Sequence, residues 1–265
     1  MIKYKLLAMD LDGTAVNNAG DLGEKTRAAF KKARAQGCLI CFVSGRRDVD
    51  MRTLYSQMQQ VDYLILNNGG KLIDWQRGTI LENECVEKAD AQRLVEFCLQ
   101  NSYILQIMGD HNGFWATNIL SERTENYSRA LGASPVKYCS FNEIPCGIEG
   151  FVAFQAGEKI LRFIEEQSLS LWGVESEPGC YDIMPANVTK WRGIARLAER
   201  LHVNSSEIIT AGNYYNDVEM LEKAGIGVAV ANALDVVKRA AAYVTESDNN
   251  SDAMAELIQK FVLHP

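Results

Sequence analysis

The stretch Tyr4-Lys5-Leu6-Leu7-Ala8-Met9-Asp10-Leu11-Asp12-Gly13-Thr14 decides how the chain is read. Tyr4–Met9 is short, apolar on both faces and halted by a carboxylate, the pattern of a strand buried in a parallel sheet. Open α/β sheets bind ligands beyond the carboxyl ends of their strands, so the residues that follow this one form a candidate site. Along an extended chain the period of two aims Asp10 and Asp12 to the same side. Two carboxylates placed together repel, and a divalent cation is the commonest compensation. Gly13 permits the sharp exit that brings backbone close to a ligand.

Outward from this stretch, apolar runs alternate with helical patterns. Glu24–Gln36 reads as a helix closed by Gly37, a residue favoured just past a helix end. Cys38–Val43 and Tyr63–Leu66 read as strands with a helical stretch between them. The same alternation returns after residue 189: helix 191–201, strand 207–211, helix 217–224, strand 227–230, helix 233–241 and a final amphipathic helix 251–262. Strands alternating with helices predict a doubly wound, Rossmann-like parallel sheet built from both flanks of the chain. The middle differs. A hairpin over 71–82 leads into a mixture of helices and antiparallel-type strands, so residues 1–82 and 187–265 are expected to form a core and 83–186 an inserted α+β domain.

Three further segments carry candidate residues, two after expected strands and one at an expected helix start. Ser44-Gly45-Arg46 follows the second strand and offers a hydroxyl and backbone N–H groups suited to phosphoryl oxygens. Lys190 stands at a predicted helix start, where the helix dipole disfavours a cation unless an anion faces it. Gly212-Asn213-Tyr214-Tyr215-Asn216-Asp217 follows the strand 207–211 with amides and an acid. Taken singly, each is equally a polar turn, a surface lysine or an Asn-capped helix start.

Taken together, in this order, the four segments resemble the four motifs of the haloacid dehalogenase superfamily. The likeness is closest to its Cof-type branch, subclass IIB, with a large α+β cap (C2B type) inserted after the third core strand. Asn67-Asn68-Gly69-Gly70 and Gly227-Val228-Ala229-Val230-Ala231-Asn232-Ala233 extend the resemblance along the chain. It implies a Mg²⁺-dependent phosphatase for a small phosphorylated metabolite. Asp10 would be the nucleophile that forms an aspartyl-phosphate, and Asp12 the acid and then the base. Ser44, Gly45, Lys190 and Asn216 would hold the phosphoryl group; Asp10, the Asp12 carbonyl, Asn213 and Asp217 would hold the metal. Arg46 and Asn68 in the core, and His111, Trp115, Asp110, Asn118 and Tyr181 in the cap, are candidates for contact with the leaving group. A phosphomutase of the same superfamily and a weakened phosphate-ester binder are the alternatives.

Bulk properties agree with a metabolic enzyme. The 265 residues are 47% apolar and 23% charged with a formal net charge of −7, which argues against general nucleic-acid binding. The opening apolar run is too short for a secretory signal, and nothing approaches the ~18 apolar residues of a membrane span. Seven cysteines with no paired C-x-x-C motifs make zinc an unexpected ligand and reduced, mostly buried thiols the expectation, as in a cytoplasmic protein.

One position departs from the resemblance. The fourth motif usually places an aspartate where this chain has Asn213, and an amide oxygen brings no charge to a metal. A milder departure is Asn187 in place of the usual glycine. Restoring the acid with Asn213→Asp is expected to lower the magnesium concentration for half-maximal activity roughly tenfold. A magnesium titration of both proteins checks this, and superimposable curves would remove Asn213 from the metal site.

Overall fold

In the computed structural model, residues 3–111, 113–131 and 134–264 are described. The chain divides into two compact units, Met1–Glu82 with Thr189–Pro265, and Asn83–Val188. The first unit opens with β1 (Leu6–Met9), α1 (Glu24–Ala35), β2 (Leu39–Val43), β3 (Tyr63–Leu66), β4 (Lys71–Asp74) and β5 (Thr79–Asn83). The second unit holds α2 (Lys88–Asn101), β6 (Ile104–Gly109), β7 (Trp115–Thr117), α3 (Glu122–Leu131) and β8 (Val136–Lys137). It continues with β9 (Ile148–Phe154), α4 (Gly157–Glu166), β10 (Leu171–Glu177) and β11 (Cys180–Pro185). The chain then returns with α5 (Lys190–Leu201), β12 (Ile208–Gly212), α6 (Val218–Lys223), β13 (Ile226–Ala229), α7 (Asp235–Ala240), β14 (Tyr243–Val244) and α8 (Ala253–Ile258).

The first unit is built on one sheet in the order β14-β13-β12-β1-β2-β3-β4-β5. From β14 to β3 every pairing is parallel. Strand β1 shows why its sequence is apolar throughout. Leu7 and Met9 join the core shared with α1 and α8, while Leu6 and Ala8 join the core shared with α5. Alternate side chains of one strand thus enter two separate cores, and no position is left for a polar residue until the strand ends at Asp10. Because β1, β2 and β12 run parallel, Asp10, Ser44 and Asn213 emerge at the same edge of the sheet.

One sequence expectation changes and two are refined. The sheet is mixed: β4 runs antiparallel to β3, so the hairpin extends the core sheet. The segment after β2 is a 3₁₀ helix, Asp48–Gln57. The final helical stretch is α8 followed by a π-helical turn, Gln259–Leu263, close to the expected 251–262. Asp252 takes a left-handed conformation (φ 60°), and its carboxylate accepts the Thr26 N–H of α1 at 2.9 Å. Asp252 thus serves α1 through its side chain and immediately precedes α8, which starts at Ala253.

The second unit has a six-stranded sheet in the order β10-β11-β9-β6-β7-β8. Its pairings are antiparallel apart from β7 with β8. Leu105, Ile107, Phe151, Ala153 and Ile183 pack against Leu94, Val95, Cys98, Ile160 and Ile164 of α2 and α4. All seven cysteines are free; Cys38, Cys41, Cys98 and Cys180 are buried, whereas Cys139 is exposed and Cys85 and Cys146 are half-buried. Among the described residues no helix is long and apolar enough to cross a membrane.

Where the chain re-enters the first unit, Gly69 sits under Thr189. A Cβ on Gly69 would lie 2.1 Å from the Thr189 carbonyl oxygen, and its φ is +113°. Gly78 also has positive φ (+64°), yet an added Cβ there meets nothing within 4 Å. Gly78→Ala is therefore expected to cost about 1 kcal/mol from backbone strain alone, and Gly69→Ala about 2 kcal/mol more from overlap. Urea unfolding of the two variants tests this; equal losses would mean that the close approach at Gly69 carries no weight.

Candidate active site

Asp10 leaves β1 with its N–H bonded to the Ala211 carbonyl at 2.9 Å. The Leu11 carbonyl accepts the N–H groups of Thr14, Ala15 and Val16 at 3.0 to 3.1 Å, which folds the loop tightly back. The Asp10 carboxylate is buried, and each oxygen has its own donor. Lys190 Nζ donates to Oδ1 at 2.8 Å and the Thr14 hydroxyl to Oδ2 at 2.9 Å. Asn213 Oδ1 lies 3.1 Å from the same hydroxyl. Thr14 lay within the motif already singled out, but no separate signal marked its hydroxyl as the partner of Asp10.

Lys190 is the first residue of α5, behind Thr189, whose side chain caps the helix by accepting the Arg192 N–H. Its ammonium is 2% exposed and also reaches Asp217 Oδ1 at 2.6 Å. Asp217 is fully buried, and its Oδ2 accepts the backbone N–H groups of Asn213 and Tyr214 at 2.8 and 3.0 Å. The anion expected opposite Lys190 is therefore a pair of carboxylates. Burial pushes the Asp10 carboxyl up to about 7, against the pull of Lys190 and with the help of Asp217. For Lys190, burial disfavours charge, but Asp10 and Asp217 outweigh it and the net shift is upward. One ammonium cannot neutralise two carboxylates, so the cluster retains negative charge suited to a further cation.

Ser44 follows β2, with its N–H on the Ile65 carbonyl at 2.8 Å and its own carbonyl accepting from Asn68 at 3.0 Å. Its hydroxyl oxygen accepts the Arg46 N–H at 3.1 Å. Asn68, held at φ 53°, accepts from Asn216 Nδ2 at 3.0 Å, so the loop after β3 is tied to the loop after β12. Arg46 reaches back to Asp12 through two bonds, Nε to Oδ2 at 2.8 Å and Nη2 to Oδ1 at 2.6 Å. Asn232, quoted only for its motif, holds the Gly13 carbonyl through Nδ2 at 2.8 Å.

This arrangement has known relatives. Residues 7–258 match the haloacid dehalogenase-like hydrolase family. The chain belongs to that family. It is 27% identical to the pyridoxal phosphate phosphatase YbhA of Escherichia coli (strain K12), over 98% of this chain and 99% of that protein. It is 25% identical to the 5-amino-6-(5-phospho-D-ribitylamino)uracil phosphatase YcsE of Bacillus subtilis (strain 168), over 99% and 97%. Among solved structures, a sugar phosphatase of haloacid dehalogenase subclass IIB matches with a TM-score of 0.85 at 22% identity, covering 97% of this chain and 98% of that one. That likeness establishes the fold, an α/β haloacid dehalogenase core with an inserted cap, and the chain is a hydrolase of this family.

The family implies Mg²⁺, and the donor set can be tested for it. Among the described residues no three His, Cys, Asp or Glu side chains gather as a metal cluster. The oxygens that the resemblance assigns to Mg²⁺ are the Asp10 carboxylate, the Asp12 main-chain carbonyl and the Asn213 amide oxygen, of which the first and last meet at the Thr14 hydroxyl. A set of oxygens alone fits a hard cation such as Mg²⁺ and not zinc. Gly13 (φ +73°) keeps the two loops close, since a Cβ there would lie 2.4 Å from Asn213 Nδ2. Asp217, also a ligand candidate from sequence, has its oxygens engaged by Lys190 and by backbone N–H groups, as Asp10 has its own engaged by Lys190 and Thr14.

In the second unit, His111 is exposed in the turn after β6 and its carbonyl accepts from Phe114. Trp115 is buried and donates to Gln106 Oε1 at 3.2 Å. Asn118 joins the backbone of Leu105 and Tyr103, and Tyr181 packs on the helix-covered side of its sheet. Of these, Trp115, Asn118 and Tyr181 have packing or hydrogen-bonding roles inside their own unit.

Removing the ammonium exposes the charge balance. Lys190→Met leaves Asp10 and Asp217 buried with no counter-charge, a loss of roughly 3–5 kcal/mol. The sign with pH follows from Asp10, whose folded value of about 7 exceeds its ordinary 3.8. A raised carboxyl contributes stability at low pH that is lost as pH climbs through the folded value, and without Lys190 that value rises further. Urea unfolding in metal-free buffer should show a larger loss for Lys190→Met at pH 8 than at pH 5. A loss independent of pH would contradict the charge argument.

Proposed function

We propose that this chain is a Mg²⁺-dependent phosphatase that hydrolyses small phosphate esters through an aspartyl-phosphate on Asp10. The observation that carries the reading is the nucleophile's setting: a buried carboxylate at a parallel strand end, with Lys190 on one oxygen and Thr14 on the other. Those donors fix the carboxylate's rotation, so that attack in line on phosphorus needs no search over side-chain conformations. An Asp10 oxygen bonds to phosphorus as the ester P–O bond breaks, and the departing oxygen takes its proton from Asp12. Asp12, now a carboxylate, removes a proton from water; that water attacks phosphorus and frees inorganic phosphate and Asp10. The Ser44 hydroxyl, the Gly45 N–H and the Lys190 ammonium are the donors assigned to the phosphoryl oxygens, with Asn216 beside them. Mg²⁺, held by Asp10, the Asp12 carbonyl and Asn213, would supply positive charge against those oxygens.

The relatives named for pyridoxal phosphate and for a phosphoribityl pyrimidine support a small phosphorylated metabolite as substrate here. The inserted unit is assigned the role of a cap that selects the leaving group, and the cytoplasm is the compartment in which such a substrate would be met.

The test is phosphate release from a panel of phosphate esters, with and without Mg²⁺, for the wild type and Asp10→Asn. Metal-dependent release that falls by at least about 10³-fold in the variant is expected for loss of a covalent nucleophile. Appreciable release by Asp10→Asn would sink the assignment. Isomerisation of a hexose phosphate without net phosphate release would replace it with a mutase.

A further inference from the structure

We propose that Arg46 is a positioning residue for Asp12, and that the ester must take over its guanidinium before Asp12 can act. The site then selects leaving groups that carry a hydroxyl or carboxylate oxygen near the scissile bond. The inference rests on the phosphatase reading and specifies its substrate class.

The geometry begins with the backbone. The Arg46 N–H donates to Ser44 Oγ at 3.1 Å, so the arginine springs from the loop assigned to the phosphoryl group. Its side chain crosses to the other catalytic loop and meets Asp12 as a fork, at 2.8 and 2.6 Å. A planar guanidinium on both oxygens of a carboxylate fixes distance and orientation together, which a lysine cannot do. The remaining nitrogen, Nη1, makes only a long contact of 3.4 Å with the Asp50 carbonyl. The arginine side chain is 22% exposed and that of Asp12 58% exposed, so the pair faces the open side of the loops.

Paired in this way, both Asp12 oxygens are acceptors and neither can present a proton to an ester. For the first step one oxygen must leave the fork and take up a proton from solvent, to which the Asp12 side chain is open. The leaving oxygen then keeps the electron pair of the broken P–O bond and takes the Asp12 proton, after which the Asp12 carboxylate can return to Arg46. The pair is open to water on its Asp12 side, so an acceptor on the substrate can compete for the guanidinium. A hydroxyl or carboxylate one carbon beyond the carbon that bears the ester oxygen supplies that acceptor. A polyol or hydroxy-acid monophosphate meets this requirement; a simple aryl phosphate does not.

The experiment compares kcat/KM for glycerol 3-phosphate and p-nitrophenyl phosphate in wild type, Arg46→Ala and Arg46→Lys. This ratio reports the steps through P–O cleavage, and nitrophenolate departs without a proton, so only the glycerol ester depends on Asp12 in those steps. Arg46→Ala should lose on the order of a hundredfold with glycerol 3-phosphate and about threefold or less with the aryl ester, the scale of lost acid catalysis. Arg46→Lys, which keeps the charge but not the fork, should show the same selective loss at smaller size and guards against misfolding of the alanine variant. Equal loss with both esters in both variants would overturn the inference and leave the phosphatase reading intact. A wild type that releases phosphate from neither these esters nor the wider panel would overturn the phosphatase reading itself.

Discussion

The ammonium of Lys190 lies between two buried carboxylates, 2.8 Å from Asp10 and 2.6 Å from Asp217, and the first unit is organised around that contact. Burying three charges is costly, several kcal/mol for each ion before compensation. It is sustained because the hydrogen bonds are numerous: Asp217 receives Lys190 and two backbone N–H groups, and Asp10 receives Lys190 and Thr14. The partners come from distant parts of the chain, with Lys190 separated from Asp10 by 180 residues and from Asp217 by 27. The unit is therefore complete only when the chain has returned from its long insertion and α5 has docked with its first residue beneath the ends of β1 and β12. Gly69 and Thr189, pressed together at this return point, belong to the same constraint.

This explains which parts of the molecule were legible in the sequence. Strands β1, β2, β3 and β12 could be read because each is buried on both faces and ends where a polar group becomes possible. The places of Asp10, Ser44 and Asn213 followed from those ends, and that of Lys190 from the start of a helix. Pairings between distant side chains could not be read. The Arg46–Asp12 fork spans 34 residues, and neither partner carries a local sign of the other. Asp217 was legible as an acid near the site, but not as the residue that fixes Lys190. Its position suits either role, and only the closed loop decides which donors reach its oxygens.

The Asn213 departure takes a different meaning in this setting. With the Asp12 charge opposed by Arg46, the buried centre comprises Asp10, Asp217 and one ammonium, leaving a single uncompensated negative charge. An aspartate at 213 would make that two. The extra charge would attract a dication more strongly, yet it would also stand beside the dianionic phosphoryl group. Repulsion between like charges is strong where water is excluded. An amide keeps an oxygen donor for the metal and removes one source of that repulsion. Under the proposed function, the chain would give up part of its hold on a cation in exchange for a less negative surrounding for the phosphoryl group. The buried Lys190 makes the exchange tolerable, because it orients Asp10 whether or not a cation is bound.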